Sequence, residues 1–143
     1  MWLDSISLHL ALVGLVAIGG IQDWRKREVS NLLTIPLYLV SMPFALYRFF
    51  QGDFLPLAII PILTLAALEG WMGGADYKVL ASLTALWSLG GLAALLAAGI
   101  WGGTVVLFTR NRFSTFPGVT AMAFGVGLTF LAELLVHIAE VGY

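Results

Sequence analysis

Long apolar runs separated by short polar interruptions organise this chain from end to end. The first run covers about residues 3–21 and meets the most charged stretch of the sequence, residues 22–31. A second run, about residues 32–50, ends at the turn Gln51, Gly52, Asp53, and a third occupies about residues 54–70. The polar segment from Gly73 to Lys78 precedes an apolar run over residues 79–108. Polar residues 109–116 then lead into a last run, about residues 117–138. Hydrocarbon offers no partner to free backbone N–H and C=O groups, so runs of this length are predicted to be helices.

The run 79–108 poses a topological choice. As a helix it would extend about 45 Å, too long for one comfortable crossing of a bilayer and short for two. Gly90-Gly91 lies in its middle and predicts a tight turn there. With that break, Arg25, Lys26, Arg27, Lys78, Arg110 and Arg112 fall on one side and only Arg48 on the other. The positive-inside rule makes the first of these sides cytoplasmic. The expected fold is therefore all-α: a polytopic membrane bundle of about six transmembrane helices, one domain over residues 1–143, with both termini outside.

Composition supports this. Of the 143 residues 60% are apolar and only 10% charged, against roughly 25% charged in soluble domains. A domain this small buries too little surface to hide so much apolar area from water. The absence of cysteine excludes a disulfide scaffold, a cysteine nucleophile, a thiolate zinc site and a covalent haem. A net charge of −1 argues against a nucleic-acid partner. The residues Met1 to Ser5 carry an acid and no Lys or Arg, so the first run is expected to be a retained anchor rather than a signal peptide. The pair Gly99 and Gly103, with Gly125 and Gly127, is expected where helices approach closely. Trp2, Trp24 and Trp71 fall near predicted interfaces.

Acids are few, and near hydrocarbon each needs a reason. Asp4 and Asp53 fall in predicted outer loops, and Glu28 offsets charge in the basic loop. Asp23 and Asp76 are separated by two complete spans, and an even number of crossings returns the chain to the same face. Both therefore belong to the cytoplasmic boundary, one ending the first span and one opening the fourth. If those two spans pack together, the carboxylates meet. Two acids sharing a site cannot both ionise easily; one pKa rises, and the pair titrates as a coupled system. The charged partner can then take a proton from water while the neutral one donates to a carbonyl oxygen. Local readings stand beside this one. Asp23 can pair with Arg27 at i, i+4, and Asp76 can cap the fourth helix.

Other residues carry less. Gly73 and Gly74 let the backbone approach a substrate strand or turn sharply into the fourth span. Glu69 can pair with Lys78 or order the loop. Glu133 and His137 stand at i, i+4 on the last span and read as an interfacial polar pair, because metals usually need three or more protein ligands. His9 reads as a packed or interfacial residue. Arg25, Lys26 and Arg27 set topology, with anionic lipid as a secondary partner.

Two segments resemble the motifs of a known family. Asp23-Trp24-Arg25-Lys26-Arg27-Glu28-Val29-Ser30-Asn31 resembles the first motif of the type IV prepilin and preflagellin peptidases. That motif is an aspartate, a basic residue two on, and a stretch closing on an aliphatic residue and Pro-Asn or Ser-Asn. Glu69-Gly70-Trp71-Met72-Gly73-Gly74-Ala75-Asp76-Tyr77-Lys78 resembles the second, the GxGD motif of the same membrane aspartyl proteases, in which a Lys commonly follows two residues after the aspartate. Ala75 replaces the second glycine, a form that looks like archaeal members, and Ser30 stands where many bacterial members have proline. Pro117, Ala123 and Gly125 give a fainter third echo at the head of the last span. The resemblance covers essentially the whole chain.

The resemblance implies a membrane aspartyl endopeptidase of the plasma membrane, active at the cytoplasmic face. Such an enzyme removes the short basic leader from prepilin-like or archaellin-like precursors. It implies Asp23 and Asp76 as the catalytic pair, with Gly73, Gly74, Ala75, Lys78 and Glu69 around the substrate and neither metal nor cofactor. The cysteine-bearing region linked to N-methylation in larger bacterial enzymes has no counterpart here, which implies peptidase without methyltransferase activity. Expected partners are the precursor proteins and membrane lipid, not nucleic acid. The residues themselves leave a non-enzymatic alternative open: a small membrane subunit of a transporter or assembly machine, its carboxylates serving as proton or partner sites.

Overall fold

Six helices, and no strand, make up residues 6–110 and 116–141, the part of the chain that the computed structural model describes. They are α1 (Ile6–Lys26), α2 (Asn31–Phe50), α3 (Leu55–Leu68), α4 (Gly74–Leu86), α5 (Ser88–Thr109) and α6 (Gly118–Val141). Four of them, α1, α2, α5 and α6, are long and apolar enough to cross a membrane. Helix α3 is apolar but has only 14 residues. Large apolar side chains such as Leu32, Leu68, Ile100, Leu107 and Phe108 stand exposed around the outside, as lipid rather than water requires. The molecule is a helical membrane bundle.

Helix α4 is its axis. It packs against α2, α3, α5 and α6, and every residue from Val79 to Leu86 is buried. Shielded in this way, α4 accommodates Ser82 and Thr84, whose hydroxyls donate to the carbonyls of Lys78 (2.7 Å) and Leu80 (2.8 Å) one turn back. Helix α1 packs on α6. Leu12 and Val16 of α1, Leu80 and Leu83 of α4, and Val119 and Met122 of α6 share the central core.

Three expectations change. First, α1 does not stop near residue 21 but continues through the charged stretch to Lys26. Arg27 ends it by adopting φ 56°, its N–H still donating to the Asp23 carbonyl at 2.8 Å. Ser30 then starts α2 by accepting from the Leu32 N–H at 3.2 Å. The charged loop is thus a short corner, and Asp23 stands on a helix.

Second, the long apolar run breaks at Trp87 (φ −147°, ψ 89°), not at Gly90-Gly91. Both glycines lie inside the first turn of α5, where a Cβ on Gly91 would stand 2.6 Å from the Thr84 Cα. Their lack of a side chain lets α5 fold back tightly on α4. The glycine signal marked close packing beside the break rather than the break itself.

Third, Gly99 and Gly103 face open space, as does Gly127, whereas a Cβ on Gly125 would stand 2.5 Å from the Ala93 carbonyl oxygen. The α5–α6 contact therefore uses Gly125 and not the GxxxG pair. Trp24 and Trp71 are 61% and 82% exposed, as interface positions should be. Trp2, Asp4 and Arg112 lie outside the described residues.

At the end of the bundle remote from Asp23, Glu133 ties three elements together. Its Oε2 accepts from His9 Nδ1 of α1 (2.7 Å) and its Oε1 from Trp87 Nε1 (3.0 Å). The His9 ring also stacks on Trp87 at 4.2 Å. Glu133 is therefore not paired with His137, which is exposed. Asp53 is likewise more than a loop acid: it accepts from Arg48 Nη1 (3.2 Å) and Ser88 Oγ (2.6 Å).

Candidate active site

Asp23 lies in the last turns of α1 and is 7% exposed. Its neighbour is the start of α6, where the first backbone N–H groups have no partner within the helix. The N–H groups of Val119 (3.0 Å) and Thr120 (3.3 Å) both donate to Asp23 Oδ2. Thr120 closes the contact from its side chain, donating to the Gly20 carbonyl at 2.7 Å. A Cβ on Gly20 would come within 3.3 Å of the Thr120 Cα, so a glycine here lets the two helices approach this closely. The i, i+4 alternative is absent, since Arg27 meets Asp23 only through the backbone bond that ends α1.

Asp76 occupies the first turn of α4, ahead of that helix's apolar stretch. It does not supply the cap: the N-cap residue is Gly73, whose carbonyl accepts from the Tyr77 N–H at 2.9 Å. The Asp76 carboxylate lies against Gly118, where a Cβ would stand 2.6 Å from Oδ1 and 2.9 Å from Oδ2. Burial pushes its pKa up to about 6, the charge of Asp23 adds to the rise, and a backbone hydrogen bond at Gly73 opposes it.

Both aspartates thus converge on one short segment, Gly118, Val119 and Thr120. Spans one and four need not pack directly for this. Helices α1 and α4 each pack on α6, and both carboxylates lie against its head.

The remaining predicted residues lie at the end of α3 and in the first turn of α4. Gly73 and Gly74 are exposed and Ala75 half-buried beside Asp76. Lys78 Nζ donates to Asn31 Oδ1 at 3.0 Å and so ties α4 to the start of α2. Glu69 is exposed at the C-cap of α3; of its two readings, pairing with Lys78 gives way to that bond. Beside Asp23, a groove of about 650 Å³ runs between α1, α5 and α6, walled by Trp24, Trp101 and Phe124 over a floor of Gly20 and Ala123. Thr120, whose N–H reaches Asp23, lines the same groove. Among the described residues, no group of three or more His, Cys, Asp or Glu side chains could hold a metal.

The model of the type IV leader peptidase family matches residues 10–108. The chain belongs to that family. It is therefore a multi-pass membrane protein of a peptidase family. No curated protein and no solved structure matches the chain. The matched stretch contains both aspartates but ends before α6, which supplies the segment that joins them.

That segment is what sequence reasoning missed. Gly118 and Val119 act through a missing Cβ and a backbone N–H, and Thr120 reaches Asp23 through its N–H too, which side-chain chemistry does not advertise. The only available signal was Pro117 directly before them.

Proposed function

We propose that this leader peptidase is an aspartyl endopeptidase in which Asp23 and Asp76 share the work on one water molecule. The observation that carries the reading is the convergence of both carboxylates on the head of α6. Asp23 accepts two backbone N–H bonds, an arrangement suited to an ionised acceptor. Asp76, pushed up to about 6 by burial and then by the charge of Asp23, is the partner better able to hold a proton.

The step balances as follows. Asp23 takes a proton from water as the oxygen attacks the scissile carbonyl carbon, and Asp76 gives its proton to the carbonyl oxygen. In the resulting gem-diol, Asp23 returns its proton to the departing nitrogen while Asp76 recovers one from a hydroxyl. The C–N bond breaks and both aspartates regain their starting states.

The substrates of this reading are prepilin-like or archaellin-like precursors: a short basic leader followed by an apolar helix. The α1–α5–α6 groove suits that helix: most of its lining is apolar, Arg25 and Thr120 are its polar members, and the Thr120 N–H reaches Asp23. The exposed backbone at Gly73 and Gly74 suits an extended segment crossing Asp76. Because Arg25, Lys26, Arg27 and Lys78 gather at this end, the positive-inside rule makes it the cytoplasmic face.

The test is cleavage of a basic-leader precursor by the purified, membrane-reconstituted protein. Asp23→Asn and Asp76→Asn are each expected to abolish cleavage while leaving folded protein in the membrane. Full cleavage by both variants overturns the assignment.

A further inference from the structure

The end of α4 that carries Asp76 is held by a small number of polar bonds. Its N-cap residue, Gly73, has no side chain to cap with. The chain before it, Glu69, Gly70 and Trp71, is exposed, and Gly70 turns at φ 74°. On the α6 side Asp76 fits against Gly118 without room for a single methyl group. A small slide or rotation of this turn would therefore move Asp76 off the α6 head.

One side chain of that turn is anchored on the opposite side. The Tyr77 hydroxyl stands 2.8 Å from the Tyr38 hydroxyl of α2 and 3.1 Å from Thr64 Oγ1 of α3. The direction of these bonds follows from proton counting. Thr64 Oγ1 gives its one proton to the Ile60 carbonyl at 2.8 Å, so it must accept from Tyr77. Tyr77 has then spent its own proton and must accept from Tyr38. The result is a one-way chain, Tyr38 to Tyr77 to Thr64 to the Ile60 carbonyl, that fastens α4 to α2 and α3 at once. The Tyr38 and Tyr77 rings add a contact at 5.6 Å. Lys78, the next residue, adds a second tie through Asn31, but in an exposed position.

We infer that Tyr77 is a positioning residue, whose hydroxyl junction with Tyr38 and Thr64 fixes the first turn of α4 so that Asp76 stays against Gly118 and within reach of Asp23. Tyr77 acts through its neighbour and not on the substrate. The inference rests on the two-aspartate reading for its catalytic meaning, but its mechanical content stands on the bonds themselves.

The experiment uses the full chain in bilayers, with Tyr77→Phe, which removes both hydroxyl bonds and keeps the ring. Two readouts run side by side. In the precursor assay, kcat is expected to fall about tenfold with KM unchanged, and the pH at which activity declines is expected to move down as Asp76 loosens into solvent. Tyr38→Phe, which cuts only one link, should fall between Tyr77→Phe and the parent. In the second readout, spin labels go on Lys26→Cys and Gly74→Cys, both at exposed positions of a chain with no other cysteine. The label-to-label distance distribution is expected to broaden with Tyr77→Phe. An unchanged pH profile together with an unchanged distance distribution overturns the inference, even if kcat drops. Failure of the protease reading looks different: Asp23→Asn and Asp76→Asn cleave normally, while the distance distribution still broadens with Tyr77→Phe.

Discussion

The carboxylate of Asp76 rests on the bare Cα side of Gly118: a methyl group there would stand 2.6 Å from Oδ1 and 2.8 Å from Cγ. These two residues are forty-two positions apart in sequence, yet neither tolerates growth of the other. Gly118→Ala should leave the bundle folded, because the short Asp76 side chain can swing away. On the two-aspartate proposal it should nonetheless lower cleavage about 100-fold, since displacement of a reacting group by about 1 Å costs that much. Precursor cleavage beside a thermal melt of the same sample checks this; a normal rate would contradict the tight fit.

The raised pKa of Asp76 gives a signed pH dependence. It lies at about 6 against an ordinary 3.8. With Asp76 as the proton donor, kcat is expected to decline as pH rises past about 6. Folding stability runs the same way. The folded chain keeps a proton that the unfolded chain has released, so this contribution is full below the unfolded value and lost as pH rises through the folded one. Asp76→Asn should therefore melt higher than the parent at about pH 8 and lose that advantage at about pH 4. An equal difference at the two pH values would speak against the burial of this acid.

Glu133 makes a separate claim about stability. It accepts from Nδ1 of His9, which is 4% exposed, and from the indole N–H of buried Trp87. Glu133→Ala leaves both donors without an acceptor, at a cost of about 3 kcal/mol. Glu133→Gln keeps one acceptor and should cost less. Melting temperatures followed by tryptophan fluorescence would rank the three proteins, and a melt of Glu133→Ala equal to the parent would refute the clamp.

The glycines divide sharply. Gly91→Ala forces a methyl group into the backbone of Thr84 and should destabilise the fold by about 1–3 kcal/mol. Gly99→Ala meets nothing and should be neutral or stabilising by up to about 1 kcal/mol, through helix propensity alone. Expression and melting of the two variants decide it; loss of fold in Gly99→Ala would point to a contact beyond the single chain.

Much of this was legible in the order of residues. Span positions followed from apolar runs, because burying backbone groups in hydrocarbon leaves only helices. The common face of Asp23 and Asp76 followed from parity, which does not depend on packing details. Helix ends were less legible. Nothing local marks Arg27 for a left-handed conformation, and Trp87 breaks the chain without proline or glycine at the break itself. Pairings across long sequence separations, such as His9 with Glu133 and Tyr77 with Tyr38 and Thr64, depend on helix rotation about α4. Hydrophobic periodicity says little about rotation when lipid makes nearly every face apolar. The role of the α6 head was the least visible, because main-chain donors are the same at every residue.

The depth of the molecule has a consequence for the membrane around it. Along α1, fourteen residues separate His9 at the Glu133 clamp from Asp23, about 21 Å of helix. The hydrocarbon layer of a typical bilayer is about 30 Å thick. The two polar levels therefore cannot both reach the headgroups of an unperturbed bilayer. The Glu133 level can stay in the oil because its carboxylate is met by His9 and Trp87 inside the bundle, which lets Asp23 sit at the water's edge.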